Sequence, residues 1–257
     1  MDLTNKVALI TGSGKGIGKA TALLLAEKKA KVIITDINED DGSRTLQEIK
    51  DNGGDAIFIR HDVSNENDWK NVVDKAIAEY KVIDILFNNA GVFVLKPLFE
   101  ISLEEWENLM NINVTGTFLG MKHVIPYMIK NNKGSVINAA STAAINGAPN
   151  HTLYGASKGA IRSLTKHAAT EFGPYVRVNS IYPGFVKTQM VDYASDIANT
   201  KLEDQSASVP LNKIGTPTDA ANLVFYLASD MSSYITGAEF VIDGGLSAGP
   251  PVWKTQY

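Results

Sequence analysis

Thr11-Gly12-Ser13-Gly14-Lys15-Gly16-Ile17-Gly18 lies between an apolar run at 6–11 (KVALIT) and a stretch with helical spacing at 16–29. Glycines let the backbone turn sharply and approach a pyrophosphate closely. The helix behind them offers free N–H groups and a partial positive charge. The pattern is T-G-x-x-x-G-I-G. It is not G-x-G-x-x-G, because counting from Gly12 the third glycine would fall on Ile17. No Gly-Lys-Ser/Thr ends the turn, which excludes a P-loop. A tight strand-to-helix turn without a ligand is the plain alternative. The position after a first strand and at the head of a helix speaks against it.

Outward from the turn, short apolar runs alternate with amphipathic stretches. Runs at 6–11, 31–36, 55–60, 82–87, 135–140, 176–182 and 239–242 read as strands; 16–29, 40–52, 66–80, 102–129, 152–172 and 218–229 read as helices. Several strands are apolar on successive residues, as expected when both faces are covered. The alternation implies an α/β fold with a doubly wound parallel sheet of about seven strands, helices on both faces and right-handed crossovers. No linker or repeat divides the chain, so 1–257 reads as one domain. Segment 185–213 has weak periodicity and is too long for an idle connection; it is expected to be a mobile substrate loop. The tail 249–257 (GPPVWKTQY) is expected to form an extended arm.

The chain of 257 residues carries 24 Lys+Arg against 28 Asp+Glu, a formal net charge of −4. That balance argues against a nucleic acid or an anionic membrane as partner. Apolar residues make up 44% and charged residues 20%, as in a globular domain rather than a disordered chain. There is no cysteine, which excludes disulfides, thiolate metal sites and a Cys nucleophile. The four His show no ligand spacing, so no metal is expected; His61 and His167 read as structural or surface residues. Residues 1–6 are polar, and no run approaches the ~18 apolar residues of a membrane span. A soluble, cytoplasmic protein is the expectation.

Asp36 ends the second strand, 24 residues after Gly12. A carboxylate there can accept both adenosine ribose hydroxyls and would repel a 2′-phosphate, which favours NAD over NADP. Lys15 pulls the other way, since a cation beside the turn could meet that phosphate. A surface Asp at a strand end is the plain reading of Asp36.

With Asn88-Asn89-Ala90-Gly91 after the fourth strand and Tyr154-Gly155-Ala156-Ser157-Lys158 later, the chain resembles the short-chain dehydrogenase/reductase family. The resemblance runs from about Leu3 to Gly245 and rests on ordered motifs: TGSGKGIG, Asp62-Val63, NNAG, NINVTG (111–116), Ser141, YGASK and PGFVKT (183–188). It implies a Rossmann-type fold, a homotetramer, and hydride transfer between NAD and a small alcohol or ketone. By similarity, Asp62 would bind the adenine amino group and Val63 the adjoining N–H. Asn89 would hold the central strand, with Ala90 and Gly91 close to the adenosine ribose. Ile37 beside Asp36, and Pro183, Gly184, Val186 and Thr188, would complete the cofactor surface, the last two holding the nicotinamide carboxamide. Competing readings are a helix N-terminal charge for Asp62 and a simple turn for 88–91.

Tyr154 and Lys158 stand at i and i+4, so one helix face presents both. A phenol of pKa about 10 is a poor base at neutral pH, and a nearby ammonium favours the phenolate. Tyr154 could then exchange a proton with an alcohol or ketone oxygen. By the resemblance, Ser141, 13 residues earlier, would orient that oxygen, and Asn113 on the long helix would anchor a water linking Lys158 to solvent. The blander alternatives are a capping Ser and a surface Tyr–Lys pair.

The substrate wall is expected from Phe93, Ala143, His151, Phe185, Met190 and Tyr193, mostly apolar, with Lys187 facing out. That suits a small neutral secondary alcohol or ketone. A 3-oxoacyl-carrier reductase ranks second, because the turn 170–175, placed by similarity near the mouth, has no basic residue and 131–133 has only one, whereas an acidic carrier needs a basic cluster. A silent NAD-binding scaffold is the third reading, and the intact Ser141, Tyr154, Lys158 and Asn113 count against it.

Overall fold

The computed structural model describes residues 2–198 and 202–249. Among them seven strands form one sheet: β1 Val7–Thr11, β2 Lys31–Asp36, β3 Ala56–Arg60, β4 Ile85–Asn88, β5 Gly134–Ala139, β6 Val176–Pro183 and β7 Glu239–Ile242. The order is β3-β2-β1-β4-β5-β6-β7 and every neighbouring pair is parallel. The helices are α1 Gly16–Glu27, α2 Glu39–Asp51, α3 Glu66–Tyr80, α4 Leu103–Met110, α5 Gly116–Lys130, α6 Thr152–Phe172, α7 Gln189–Ala198, α8 Leu202–Ser208 and α9 Pro217–Ala228.

Successive strand residues point to opposite faces, and both faces are buried. Val7 and Leu9 of β1 join a core with Trp69 and Val72 of α3 and Val124 and Met128 of α5. Ala8 and Ile10 join the other, with Leu25 of α1, Ile49 of α2 and Leu227 of α9. Two covered faces explain the unbroken apolar runs. The chain winds outward in opposite directions from β1 and β4, so the crevice at their C-terminal ends is the topological switch point. No helix among the described residues is long and apolar enough to cross a membrane.

Two elements differ from the sequence reading. The helix expected at 102–129 is broken. Its first piece, α4, starts at a capping box of Ser102 and Glu105; Asn111–Thr115 then forms a π-helical turn, and α5 follows. The extra residue in a π turn rotates the helix and aims one side chain inward. Segment 185–213 is no bare loop either, because it contains α7 and α8. Both are shorter than the window in which helical periodicity becomes legible, and α8 (LEDQSAS) has almost no apolar face. Of the expected arm, 250–257, with Trp253, lies outside the described residues.

Candidate active site

The glycine turn is built against the end of β4. Gly12 adopts φ 61°, and a Cβ there would sit 2.9 Å from Ala90 Cα. A Cβ on Gly18 would lie 2.2 Å from Gly12 O, so α1 can start where it does only with glycine at both positions. Asn89 Nδ2 donates to Thr11 O and to Gly12 O, both at 3.0 Å. Thr11 Oγ1 accepts from the N–H groups of Asn89 and Ala90, also at 3.0 Å. The segment 88–91 is thus a clamp on the turn. Asn38 and Asn65 cap α2 and α3, but α1 begins at Lys15 with no side-chain cap, leaving its first N–H groups open to an anion.

Ser13 has a different task from the cofactor contact expected of it. Its N–H donates to Thr35 O, and its hydroxyl donates to Ile10 O and accepts from Thr35 N. It fastens the turn to β2. Asp36, 8% exposed, accepts from Gly14 N at 2.9 Å and from Asn38 N at 3.0 Å. Its carboxylate is therefore held at the rim of the turn. Ile37 beside it is 58% exposed, as a surface for a flat ring would be. Asp41 of α2 also borders Gly14 and pairs with Arg44, whereas Lys15 is exposed without an ion pair among the described residues. Asp62 Oδ1 accepts from the N–H and hydroxyl of Ser64, so one of its oxygens serves the turn into α3. Val63 is buried and its carbonyl accepts from Trp69 Nε1.

Across the switch point, Ser141 follows β5, and Tyr154 and Lys158 are buried on α6. The Tyr154 hydroxyl is hydrogen-bonded to Ser141, which also caps a short 3-10 turn by accepting from Ala143 N. Lys158 Nζ donates to Ala139 O at 2.7 Å and lies 5.5 Å from the Tyr154 ring centroid. Asn113 sits in the π turn, fully buried. Its Oδ1 accepts from Val92 N, and its Nδ2 donates to Val92 O and Ser157 Oγ. Sequence reasoning gave no such role to Ser157, to the Val92 backbone or to Ala139 O, which hold Asn113 and Lys158 through one hydroxyl and backbone groups. A phenol, a hydroxyl and an ammonium gathered at one point can move a proton to or from a substrate oxygen.

Residues 12–247 match the family described as enoyl-(acyl carrier protein) reductase. The chain is 39% identical over 247 residues to cyclopentanol dehydrogenase of Comamonas sp. (strain NCIMB 9872), covering 96% of this chain and 98% of that one. It is 40% identical over 248 residues to 2,5-dichloro-2,5-cyclohexadiene-1,4-diol dehydrogenase LinX of Sphingobium indicum, with 96% and 98% covered. The solved structure of 7α-hydroxysteroid dehydrogenase complexed with NADH and 7-oxo glycochenodeoxycholic acid superimposes with a TM-score of 0.90 at 34% identity, over 95% of each chain. The chain belongs to the short-chain dehydrogenase/reductase family. It is an oxidoreductase of CH–OH groups, an alcohol dehydrogenase or ketoreductase, and it works with a nicotinamide cofactor.

The residues of this short-chain dehydrogenase/reductase fit such a cofactor. The uncapped α1 suits a diphosphate. Gly91 leaves clear the space where a Cβ would stand 3.1 Å from Asn113 Oδ1 and 3.6 Å from Lys158 Nζ. The 183–188 segment closes the opposite side, with Thr188 Cγ2 3.4 Å from where a Gly16 Cβ would be. It is fixed by a bridge between Val186 and Gly215 and by Gly184 N donating to Ile242 O. Phe93 packs edge-on against Tyr154, His151 and Tyr193, with ring centroids 4.7, 5.5 and 6.5 Å apart. Three of the wall residues proposed from sequence, Phe93, His151 and Tyr193, therefore form one aromatic cluster with the phenol. The Ala143 carbonyl lies against Gly155, next to Tyr154, while Phe185 is half-buried and its carbonyl accepts from Gly215 N. Met190 and Lys187 are exposed. Among the described residues, no group of three or more His, Cys, Asp or Glu could hold a metal ion.

The electrostatics run against the simplest sequence argument. Burial pushes the Tyr154 phenol up to about 12, opposed by its Ser141 hydrogen bond, and burial pushes the Lys158 ammonium down to about 8. In the protein alone, desolvation outweighs the help Lys158 gives to a phenolate. Tyr154 is an acid at neutral pH.

Proposed function

We propose that the protein interconverts small, neutral secondary alcohols and ketones, alicyclic or aliphatic, using NAD(H) in preference to NADP(H). The observation that carries this is Tyr154, bonded to Ser141, backed by Lys158 and faced by an apolar aromatic wall. The cofactor supplies or accepts the hydride at the substrate carbon. In reduction, Tyr154 Oη gives its proton to the carbonyl oxygen; in oxidation it takes the hydroxyl proton. Ser141 orients that oxygen. Lys158, anchored on Ala139 O, favours the phenolate and meets the nicotinamide ribose, and Asn113 ties the 90–97 loop to α6. Asp36, held by Gly14 and Asn38, selects the unphosphorylated ribose.

Carrier-bound substrates come second. The turn 170–175 expected near the mouth is not there within one chain. Residues 170–175 precede β6 and 131–133 precede β5, so both lie at the N-terminal ends of the parallel strands, opposite the end where Ser141 follows β5. The ranking therefore rests on the wall around Tyr154, where Phe93 and Tyr193 offer apolar ring surface rather than a cation for the phosphate of a phosphopantetheine arm. Assembly as a homotetramer is part of the same reading, supported by exposed Leu103 and Trp106 on α4 and Phe118 on α5. The test is a rate comparison on purified protein with NAD(H) and NADP(H). Cyclic and aliphatic secondary alcohols should be oxidised and their ketones reduced. A kcat/KM for an acetoacetyl-carrier substrate above that of every neutral ketone reverses the ranking.

A further inference from the structure

The apolar wall around Tyr154 contains one polar side chain in ring contact with Phe93 besides the phenols, His151. It stands just before α6, three residues ahead of Tyr154, and both rings touch Phe93. Its tautomer is fixed. Nδ1 lies 2.7 Å from Pro149 O, a carbonyl that can only accept, so Nδ1 carries the hydrogen. Nε2 of the neutral ring is then purely an acceptor, and among the described residues no protein group donates to it. The surrounding backbone holds this arrangement. Asn150 adopts φ 64°, and its carbonyl accepts from Lys96 N at 3.0 Å, which ties the loop carrying Phe93 to the residue before His151. Lys96 is itself anchored by Glu105 at the start of α4.

We propose that His151 Nε2 accepts a hydrogen bond from a second hydroxyl of the substrate, so that the site prefers hydroxyketones and diols over their singly oxygenated counterparts. A substrate lying on the Phe93 ring with its reacting oxygen at Tyr154 reaches towards His151. Tyr154 and His151 both contact the one Phe93 ring, at 4.7 and 5.5 Å between centroids. A six-membered ring carries its 4-hydroxyl farthest from the reacting carbon, so the 1,4 pattern is the one that tests a reach to His151. A site with a fixed acceptor discriminates against an analogue that lacks the donor, because the acceptor is then desolvated without a partner. The inference rests on the alcohol–ketone reading and deepens it.

The experiment compares 4-hydroxycyclohexanone with cyclohexanone, and cyclohexane-1,4-diol with cyclohexanol, in the full-length wild type and in His151→Phe and His151→Gln. The wild type should favour the hydroxylated member of each pair by ~10-fold in kcat/KM, carried by KM. His151→Phe keeps a ring against Phe93 and should lose that preference, its kcat/KM falling by ~10-fold more for 4-hydroxycyclohexanone and cyclohexane-1,4-diol than for cyclohexanone and cyclohexanol. His151→Gln supplies an amide oxygen and should restore part of it. Equal constants for both members of each pair in the wild type overturn the proposal, whatever the variants do. So does a fall in His151→Phe that strikes both substrates alike, which marks a structural residue. Failure to turn over any of the four compounds with either cofactor would instead sink the alcohol–ketone reading.

Discussion

Tyr154 illustrates how environment decides what a residue does. Its phenol, held near 12 by burial, is a proton donor across the neutral range. Ketone reduction should therefore vary little with pH through neutrality, whereas alcohol oxidation, which needs the phenolate, should speed up as pH rises. Tyr154→Phe should cut kcat by ~10²–10⁴-fold and leave binding of NADH nearly intact, read by fluorescence titration. Lys158→Ala should damage both. Full turnover in Tyr154→Phe would end the acid–base assignment. Asp36 makes a second prediction. A 2′-phosphate against its carboxylate should cost about 2–3 kcal/mol, a ~30–150-fold preference for NAD(H) in kcat/KM. Asp36→Asn keeps an acceptor for one of the two N–H groups and removes the charge, so most of that preference should vanish. An unchanged ratio would move the specificity to Lys15 or Asp41.

The π turn between α4 and α5 is an element whose purpose is one side chain. It turns Asn113 inward, where the amide replaces a strand neighbour for Val92, taking its N–H and its C=O together. Asn113→Ala leaves the N–H and C=O of Val92 without these partners, while the Ser157 hydroxyl keeps its bond to Tyr154 O. Each buried orphan costs ~1–3 kcal/mol, so urea unfolding should show a loss of at least about 2 kcal/mol, with kcat falling as the 90–97 loop loosens. A variant as stable as wild type would mean that the amide is not what orders this loop. The break itself was not legible, because the π turn adds a single residue within a run that is helical on both sides, and one residue hardly disturbs an apolar spacing read over short windows. What was legible is local chemistry. Gly12 and Gly18 show in sequence because only glycine survives the close approaches there. Tyr154, Lys158 and Asp36 show because their spacing from strand ends fixes where they emerge. Ser13 did not, since a serine facing the sheet and one facing a ligand look alike in sequence. The turn 170–175 was misplaced within one chain, although residues that precede a strand parallel to β5 must lie at the N-terminal ends of the strands, away from Ser141.

At the scale of the molecule, two properties follow from what is buried and what is not. The proposed homotetramer, which the apolar exposure on α4 and α5 supports, is checked by light scattering at micromolar concentration; a monomer would contradict it, and deleting residues 249–257 without effect on assembly or rate would exclude the tail. The other property is acid sensitivity, and it traces to His61. This ring is buried in the core between β3 and α3. Its Nδ1 lies 3.1 Å from Thr35 Oγ1 and its edge packs on Trp69 at 4.3 Å between centroids. Thr35 gives its hydroxyl hydrogen to Ile10 O, so Nδ1 is the donor, and Nε2 is buried with no protein partner among the described residues. Burial pushes the pKa down from 6.5 to about 4, and the charges of Asp68 and Asp62 offset only part of that. The folded state therefore stays unprotonated where the unfolded chain binds a proton. Stability attributable to His61 is full above pH 6.5 and declines as pH falls towards 4, by about 2 kcal/mol at pH 5 and about 3 kcal/mol at pH 4. His61→Gln has no group to protonate in either state. It should be less stable than wild type at pH 7.5, yet lose less between pH 7.5 and 4.5 in urea titrations at one fixed protein concentration. Asp219 and Glu239, whose carboxyls are held below their usual range by Thr216 and by Arg162, act in both proteins alike and cancel in the difference. Parallel pH profiles for the two proteins would show that His61 protonates in the folded state as readily as in the unfolded one.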